Sequence, residues 1–366
     1  MRLVIKIGSN IITKETGLDT RRISSIVTEI AKLHSEGHEI AVVSSGAVAA
    51  GVRKLGLKKR PTEIRQKQAA AAAGQSSLVQ AYEKAFGRHK KKVAQILITR
   101  DAFHDRYRYI NARNTIMTLF DYRVIPIINE NDSVSIEEIK FGDNDQLASL
   151  VAGLISADRL IILSDVDGLY TKDPSRFPDA ELIPLVEEIT VDLKSAAGRE
   201  GSMVGTGGMI SKLIAAEKAM RLGIVVNIIN GRKQKALRDL LSGKRVGTEF
   251  KPSAKRVSSR KGWLAFGVRT KGSVVIDSGA TEAIIRRGKS LLPSGIIDVE
   301  GSFNAGDAIY CTDQAGRKIA KGLSNYSSHD IQKIRGLKTS EIEKVLGYKY
   351  SDEVIHRDNL FLLSEG

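Results

Sequence analysis

The chain has 366 residues, 42% apolar and 27% charged, with a single cysteine (Cys311), six histidines and a formal net charge of +15. That length exceeds what one core usually organises, so two domains are expected. One cysteine excludes an internal disulfide framework and, with so few histidines, a structural zinc site, and it suits a reducing cytoplasm. No apolar run approaches the roughly 18 residues that cross a bilayer, and the opening MRLVIKIGSN starts a strand rather than a secretory leader.

Six apolar, β-branched runs follow one another through the first 250 residues: RLVIKI (2–7), EIAVVSS (39–45), VAQILIT (93–99), VIPIIN (124–129), RLIILSD (159–165) and GIVVNIIN (223–230). They are apolar on both faces, as strands buried in a parallel sheet are. Helical patterns lie between them, over 20–37, 146–157 and 209–223, the first and last closed by glycine. This alternation predicts a three-layer α/β sandwich with a mainly parallel sheet over residues 1–250. KPSAKRVSSRKG (251–262) is basic and poor in apolar residues, so 251–269 reads as a linker. Residues 270–366 then carry short β-like runs between glycine turns, GSVVIDSG, AIIRRG, SGIIDVEG, AIYCTDQAG and KIAKGLSN, before a helical tail with TSEIEKVLG (339–347). That texture predicts a small, mostly β barrel.

Open parallel sheets bind ligands at the carboxyl ends of their strands, so the residues after each strand carry the functional reading. Lys6 ends the first strand in KIGSN, followed by Gly8. A lysine there either meets an anion or snorkels from an edge strand. In SSGAVAAG (44–51), Gly46 lets the backbone approach a ligand and Ser44 or Ser45 offers a hydroxyl; a tight strand-to-helix junction explains the same residues. The stretch INENDSVSIEEIKFGDNDQLA (128–148) is the densest polar segment, with Asn129, Asp132, Asp143, Asn144 and Asp145. Asp143 to Asp145 are placed to cap the next helix. Capping accounts for one carboxylate, and the rest suit an ammonium-plus-carboxylate ligand or a Mg²⁺–phosphate complex. In LSDVDGLYTKDP (163–174) a calcium loop is excluded, because the twelfth position from Asp165 is Arg176 rather than glutamate. GTGGMISK (205–212) fits neither the P-loop nor the dinucleotide pattern, since Lys212 precedes Leu213 and Ile210 replaces a third glycine. Its glycines precede a helix N-terminus, where free amides and the helix dipole favour an anion within reach of Lys212.

In this order, KIGSN, SSGAVAAG, INENDSV, KFGDND, LSDVDGLY and GTGGMISK resemble the amino-acid kinase family, in the branch that carries a C-terminal PUA domain. The likeness covers nearly the whole chain; Ser9-Asn10 and Ile210 are its small departures. It implies ATP contacts from Lys6, Gly8, Ser164 and Asp165 and from Thr206, Gly207, Gly208, Met209, Ile210, Ser211 and Lys212. It implies substrate contacts from Ser45, Gly46, Asn129, Asp132, Asp143 and Asn144. Lys6, Lys212 and Asp145 would be the catalytic group, Asp145 resembling the carboxylate that organises the two lysines. The implied reaction is ATP-dependent phosphorylation of the γ-carboxylate of L-glutamate at the head of proline biosynthesis, with proline as feedback inhibitor. Mg²⁺ is expected on the nucleotide phosphates rather than in a protein cage. The acyl phosphate would pass to a reductase, and a homo-oligomer, dimer or tetramer, is expected.

Two other readings compete. Sibling kinases on this fold phosphorylate aspartate, N-acetylglutamate, carbamate or UMP; an unblocked ammonium wants an acidic pocket, which Asp132 offers. RNA binding through the β domain is suggested by that domain and by the charge. The excess is spread, +9 over residues 1–250 and +6 over 251–366, and Phe303, Tyr310 and Tyr326 are too scattered to form a base-stacking cluster.

Overall fold

The computed structural model describes residues 1–14, 17–99, 101–134, 144–194, 208–252 and 268–363. The chain divides into two compact units, Met1–Ala102 with Tyr107–Val257, and Phe103–Arg106 with Ser258–Gly366.

In the first unit, β1 (Arg2–Ile7), β2 (Glu39–Ser44), β3 (Lys92–Ile98), β4 (Val124–Glu130), β5 (Arg159–Ser164) and β7 (Val225–Asn230) are the six runs expected from the sequence. Two short strands join them, β6 (Leu185–Val186) and β8 (Thr248–Phe250), giving one eight-stranded sheet in the order β3-β4-β2-β1-β5-β7-β8-β6. Only the β7–β8 pairing is antiparallel. The two added strands are too short for a periodicity to declare itself. Helices α1 (Thr20–Ser35), α2 (Ala47–Lys54), α3 (Ile64–Gly87), α4 (Arg106–Asp121), α5 (Asn144–Leu154), α6 (Met209–Met220) and α7 (Ala236–Leu241) complete the unit. Leu3, Ile5 and Ile7 of β1 pack in one core with Ile23 and Ile30 of α1 and Leu78 and Phe86 of α3.

Strand β1 is the topological switch of the sheet, with β2 on one side and β5 on the other. Chain crossovers leave β1 in opposite directions, so a crevice opens beyond its carboxyl end. One wall of that crevice is set by a close helix crossing. A Cβ on Gly51 of α2 would lie 1.7 Å from the carbonyl oxygen of Ala70, and one on Gly74 of α3 would lie 1.9 Å from that of Ala47. Only glycine at both positions lets the two helices meet backbone to backbone.

The second unit holds a five-stranded sheet in the order β10-β9-β11-β12-β13, from β9 (Thr270–Ile276), β10 (Ile296–Gly301), β11 (Ala308–Thr312), β12 (Lys318–Leu323) and β13 (Leu360–Leu362). One expected β-like run is helical: AIIRRG lies in α8 (Ser278–Arg287). Its Ile-Ile pair looks β-like in isolation, but the ends decide. Asp277 caps the first turn through Ala280 N, and Gly288 closes the last in the left-handed conformation. Val274, Ile309, Cys311, Tyr326 and Ile331 of α9 (Ser328–Ile334) share the core of this unit. The expected linker falls largely on residues 253–267, outside the described residues.

Candidate active site

Lys6, on β1, points into the crevice with its side chain almost wholly buried, and so does Lys212, in the first turn of α6. Between them lies Asp145, fully buried in the first turn of α5. Its Oδ1 is 2.5 Å from Lys6 Nζ and its Oδ2 is 3.1 Å from Lys212 Nζ. Asp145 is therefore not the helix cap its sequence position suggested; its carboxylate is turned inward onto the two ammonium groups. The two ammonium groups thus share one buried carboxylate, and the charge of Lys212 also reaches Asp165.

The frame that holds this triad is explicit. α5 packs on α6, Lys218 Nζ of α6 bonds Gln146 Oε1 of α5 at 2.9 Å, and Leu222 closes against α5 where Gly153 leaves room. The first turn of α6 begins at Gly208, whose carbonyl accepts from Ser211 N. Met209, Ile210 and Ser211 follow in that turn, partly exposed, while Thr206 and Gly207 lie outside the described residues. Gly8 follows β1, and a Cβ there would stand 3.7 Å from Lys6 Nζ, so the glycine keeps the approach to that ammonium open.

A polar cluster borders the triad. Asn144 Nδ2 donates to Ser44 O at 2.8 Å, Ser45 Oγ at 3.1 Å and Asn129 Oδ1 at 2.9 Å. Asn129 Nδ2 in turn donates to Gln75 Oε1 at 2.9 Å. Four sequence segments thus converge: the end of β2, the end of β4, the start of α5, and α3. Gly46 turns the chain out of β2 at φ 110°, where a side chain would be strained. The Ser44 hydroxyl is engaged instead with the buried phenol of Tyr82, whose burial pushes its pKa above the usual tyrosine range. Asp132 lies on the turn after β4, partly exposed, and Asp143 is outside the described residues.

At the end of β5, Ser164 is buried and Asp165 exposed at the crevice mouth. Burial alone would raise the Asp165 carboxyl; the hydrogen bond from Asn10, 3.1 Å away, its own backbone and the charges of Lys212 and Arg232 outweigh it and hold the pKa below the usual value. Arg232 Nη2 donates to Asn10 O at 3.3 Å, and Asp167 is tied to Asn230 and Lys233, each at 2.8 Å. Gln75, Asn10 and Arg232 are site neighbours that sequence reasoning missed. Gln75 alone left a trace, as the polar break after the alanine run 69–73. Among the described residues no group of three His, Cys, Asp or Glu side chains could hold a metal ion, and no helix is long and apolar enough to cross a membrane.

The sequence pattern of the amino acid kinase family matches residues 1–230, more than half the chain. The chain belongs to the amino acid kinase family. Residues 272–346 of this family member match the PUA domain as well. It is 48% identical over 367 residues to the glutamate 5-kinase of Caldanaerobacter subterraneus subsp. tengcongensis, covering 100% of this chain and 99% of that protein. It is 50% identical over 363 residues to the glutamate 5-kinase of Geobacter sulfurreducens, covering 99% and 97%. Among solved structures, UMP kinase from Bacillus anthracis aligns with 69% of the kinase chain and 96% of its own, at TM-score 0.49 and 15% identity.

Proposed function

We propose that this kinase transfers the γ-phosphoryl group of ATP to the γ-carboxylate of L-glutamate, giving L-glutamyl 5-phosphate and ADP. The observation that carries the reading is the buried Lys6–Asp145–Lys212 triad beside the Ser45–Asn129–Asn144 cluster, in a chain whose full-length relatives are glutamate 5-kinases. A γ-carboxylate with a reference pKa of about 4.3 is already ionised at neutral pH, so no general base is required. One of its oxygens attacks the γ-phosphorus while the bond to the β-γ bridging oxygen breaks and ADP leaves. The task left to the protein is alignment of two anions and neutralisation of the charge between them.

The lysines meet that task. Lys6 and Lys212 flank the transferring group, and Asp145 fixes both without matching their combined charge. Gly8, Ser164, Asp165 and Gly208 to Lys212 bound the nucleotide side, to which the sequence resemblance adds Thr206 and Gly207; the amides at the start of α6 face its phosphates. Ser45, Gly46, Asn129, Asn144 and Asp132 bound the glutamate side, to which the resemblance adds Asp143, with the carboxylates meeting the free ammonium. Mg²⁺ fits as a passenger on the phosphates rather than in a protein cage: the carboxylate deepest in the site is committed to two lysines, and Asp165 at the β5 mouth already accepts from Asn10. When bound, the ion neutralises phosphate charge.

The product is the activated acid that opens proline biosynthesis, and proline inhibits by occupying the glutamate side. Because acyl phosphates hydrolyse and cyclise readily, a reductase takes the product over. The enzyme works in the cytoplasm as a dimer or tetramer. A hydroxamate trap with ATP, Mg²⁺ and a panel of acids tests the reading: L-glutamate is expected to give product. Activity on aspartate or N-acetylglutamate and none on glutamate overturns it.

A further inference from the structure

The kinase unit carries a second concave surface that shares no residue with the triad or its neighbours. Helices α1 and α3 part to leave a groove of about 480 Å³, a volume within the range of small-molecule sites. The groove exists because the facing side chains are small: Ala81 and Ala85 of α3 oppose Ser24, Ser25 and Thr28 of α1. Its charged lining is all of one sign, with Arg21, Lys84 and Arg88, and no carboxylate lines it.

Two acids of the α1 segment are engaged elsewhere. Asp19 pairs with Lys14 and caps α1 through Arg22 N. Glu29 accepts from the backbone amides of Lys235, Leu237 and Arg238 at the start of α7. Among the described residues no ion pair involves Arg21, Lys84 or Arg88. The guanidinium of Arg88 is steadied by donating to Ser24 Oγ at 3.2 Å, and Thr28 Oγ1 meets His89 Nε2 at 3.1 Å. Two guanidinium forks, an ammonium and four hydroxyls (Thr20, Ser24, Ser25, Thr28) around a floor of alanine are the donor set for phosphate oxygens. Arg21 also lies in the first turn of a 16-residue helix, where the dipole adds to the positive potential.

We propose that this α1–α3 groove binds a small anion bearing two or more phosphate groups. The cations stand at both walls, so a single phosphate bridges them poorly and a chain or pair of phosphates spans them. Ordinary surface lysines and arginines are solvated singly or paired with carboxylates; here three converge on one hollow with no counter-charge.

Calorimetric titration at 0.15 M NaCl with sodium tripolyphosphate, and separately with fructose 1,6-bisphosphate, tests this in the wild type, in Arg21→Gln/Arg88→Gln and in Lys212→Met. Saturable binding is expected in the wild type and in Lys212→Met, weakened about tenfold for each arginine removed. Tighter binding of the first probe identifies an inorganic chain as the ligand, and of the second an organic bisphosphate. Wild-type affinity and stoichiometry in the double variant overturn the proposal, as does loss of all saturable binding in Lys212→Met, which would place the anion at the strand ends alone. The substituted side chains are exposed, so unchanged glutamate phosphorylation by the double variant is expected and certifies its fold.

Discussion

Three lysines in this chain are buried to nearly the same degree, and they live in two different electrical worlds. Lys6, Lys212 and Lys321 are 5%, 7% and 5% exposed. The first two share a buried carboxylate, each within 3.1 Å or less of an oxygen of Asp145. Lys321, on β12 of the second unit, donates to the backbone carbonyl of Val268 and lies over the Tyr310 ring, with no carboxylate paired to it among the described residues, and burial pushes its pKa down to about 8. Burial therefore does not define a phosphate-handling lysine. What distinguishes the triad is a fixed, fully buried carboxylate shared by two ammonium groups, which keeps both in place at the strand ends. A lysine buried beside a neutral dipole instead gives up its proton at a lower pH than an exposed one.

Removing the carboxylate is the strongest way to break that contrast. Asp145→Asn leaves two ammonium groups facing each other in a dry crevice without their counter-charge. Breaking a buried pair in this way costs about 3–5 kcal/mol. Denaturant unfolding should show a loss of that order, and turnover should fall with it. Stability within 1 kcal/mol of wild type would mean that water or a rearranged side chain already screens the lysines, and the contrast with Lys321 would lose its basis.

Next in size is the catalytic effect of a single ammonium. Lys212→Met keeps most of the side-chain volume and removes one charge from the transferring phosphoryl group. Losing one preorganised electrostatic partner of a transition state typically costs 10²–10³ in kcat, about 2.7–4 kcal/mol. Steady-state kinetics should show that fall with the KM for L-glutamate little changed. Wild-type kcat would remove Lys212 from the chemistry.

The sequence carried the triad's members but not their meeting. Lys6, Asp145 and Lys212 each follow a strand or open a helix, so strand-end reasoning finds them. That Asp145 turns inward rather than capping α5 depends on where α6 lies, which is set by packing at Gly153 and Leu222. Gln75 showed only as a polar break for the same reason: it matters because α3 crosses α2 at Gly51 and Gly74, bringing the next residue against Asn129. The six long strands were legible from composition alone, since both faces are apolar. AIIRRG was misread because its helix is declared by the flanking Asp277 and Gly288 rather than by its apolar residues. Nothing in KIAKGLSN marks Lys321; the sheet register, which sets it opposite Tyr310 and Phe361, places it under cover.

The smallest effect belongs to Lys321 and is read through pH. Its folded-state pKa, lowered to about 8, lies below the ordinary lysine value of 10.5 that applies when the chain unfolds. Below pH 8 both states hold the proton, and the folded state bears the full cost of a buried cation. Between about pH 8 and 10.5 the unfolded chain binds more protons than the folded one, so the lysine's contribution to stability rises with pH. Lys321→Met removes this dependence and keeps the packing. The variant should therefore be at least as stable as wild type at pH 7, and its advantage should shrink as pH climbs from 8 towards 10. Denaturant midpoints at pH 7, 8.5 and 10 make the comparison. A difference that stays flat with pH would show that a carbonyl alone can hold a buried ammonium, and the contrast with the Asp145 carboxylate would lose its basis.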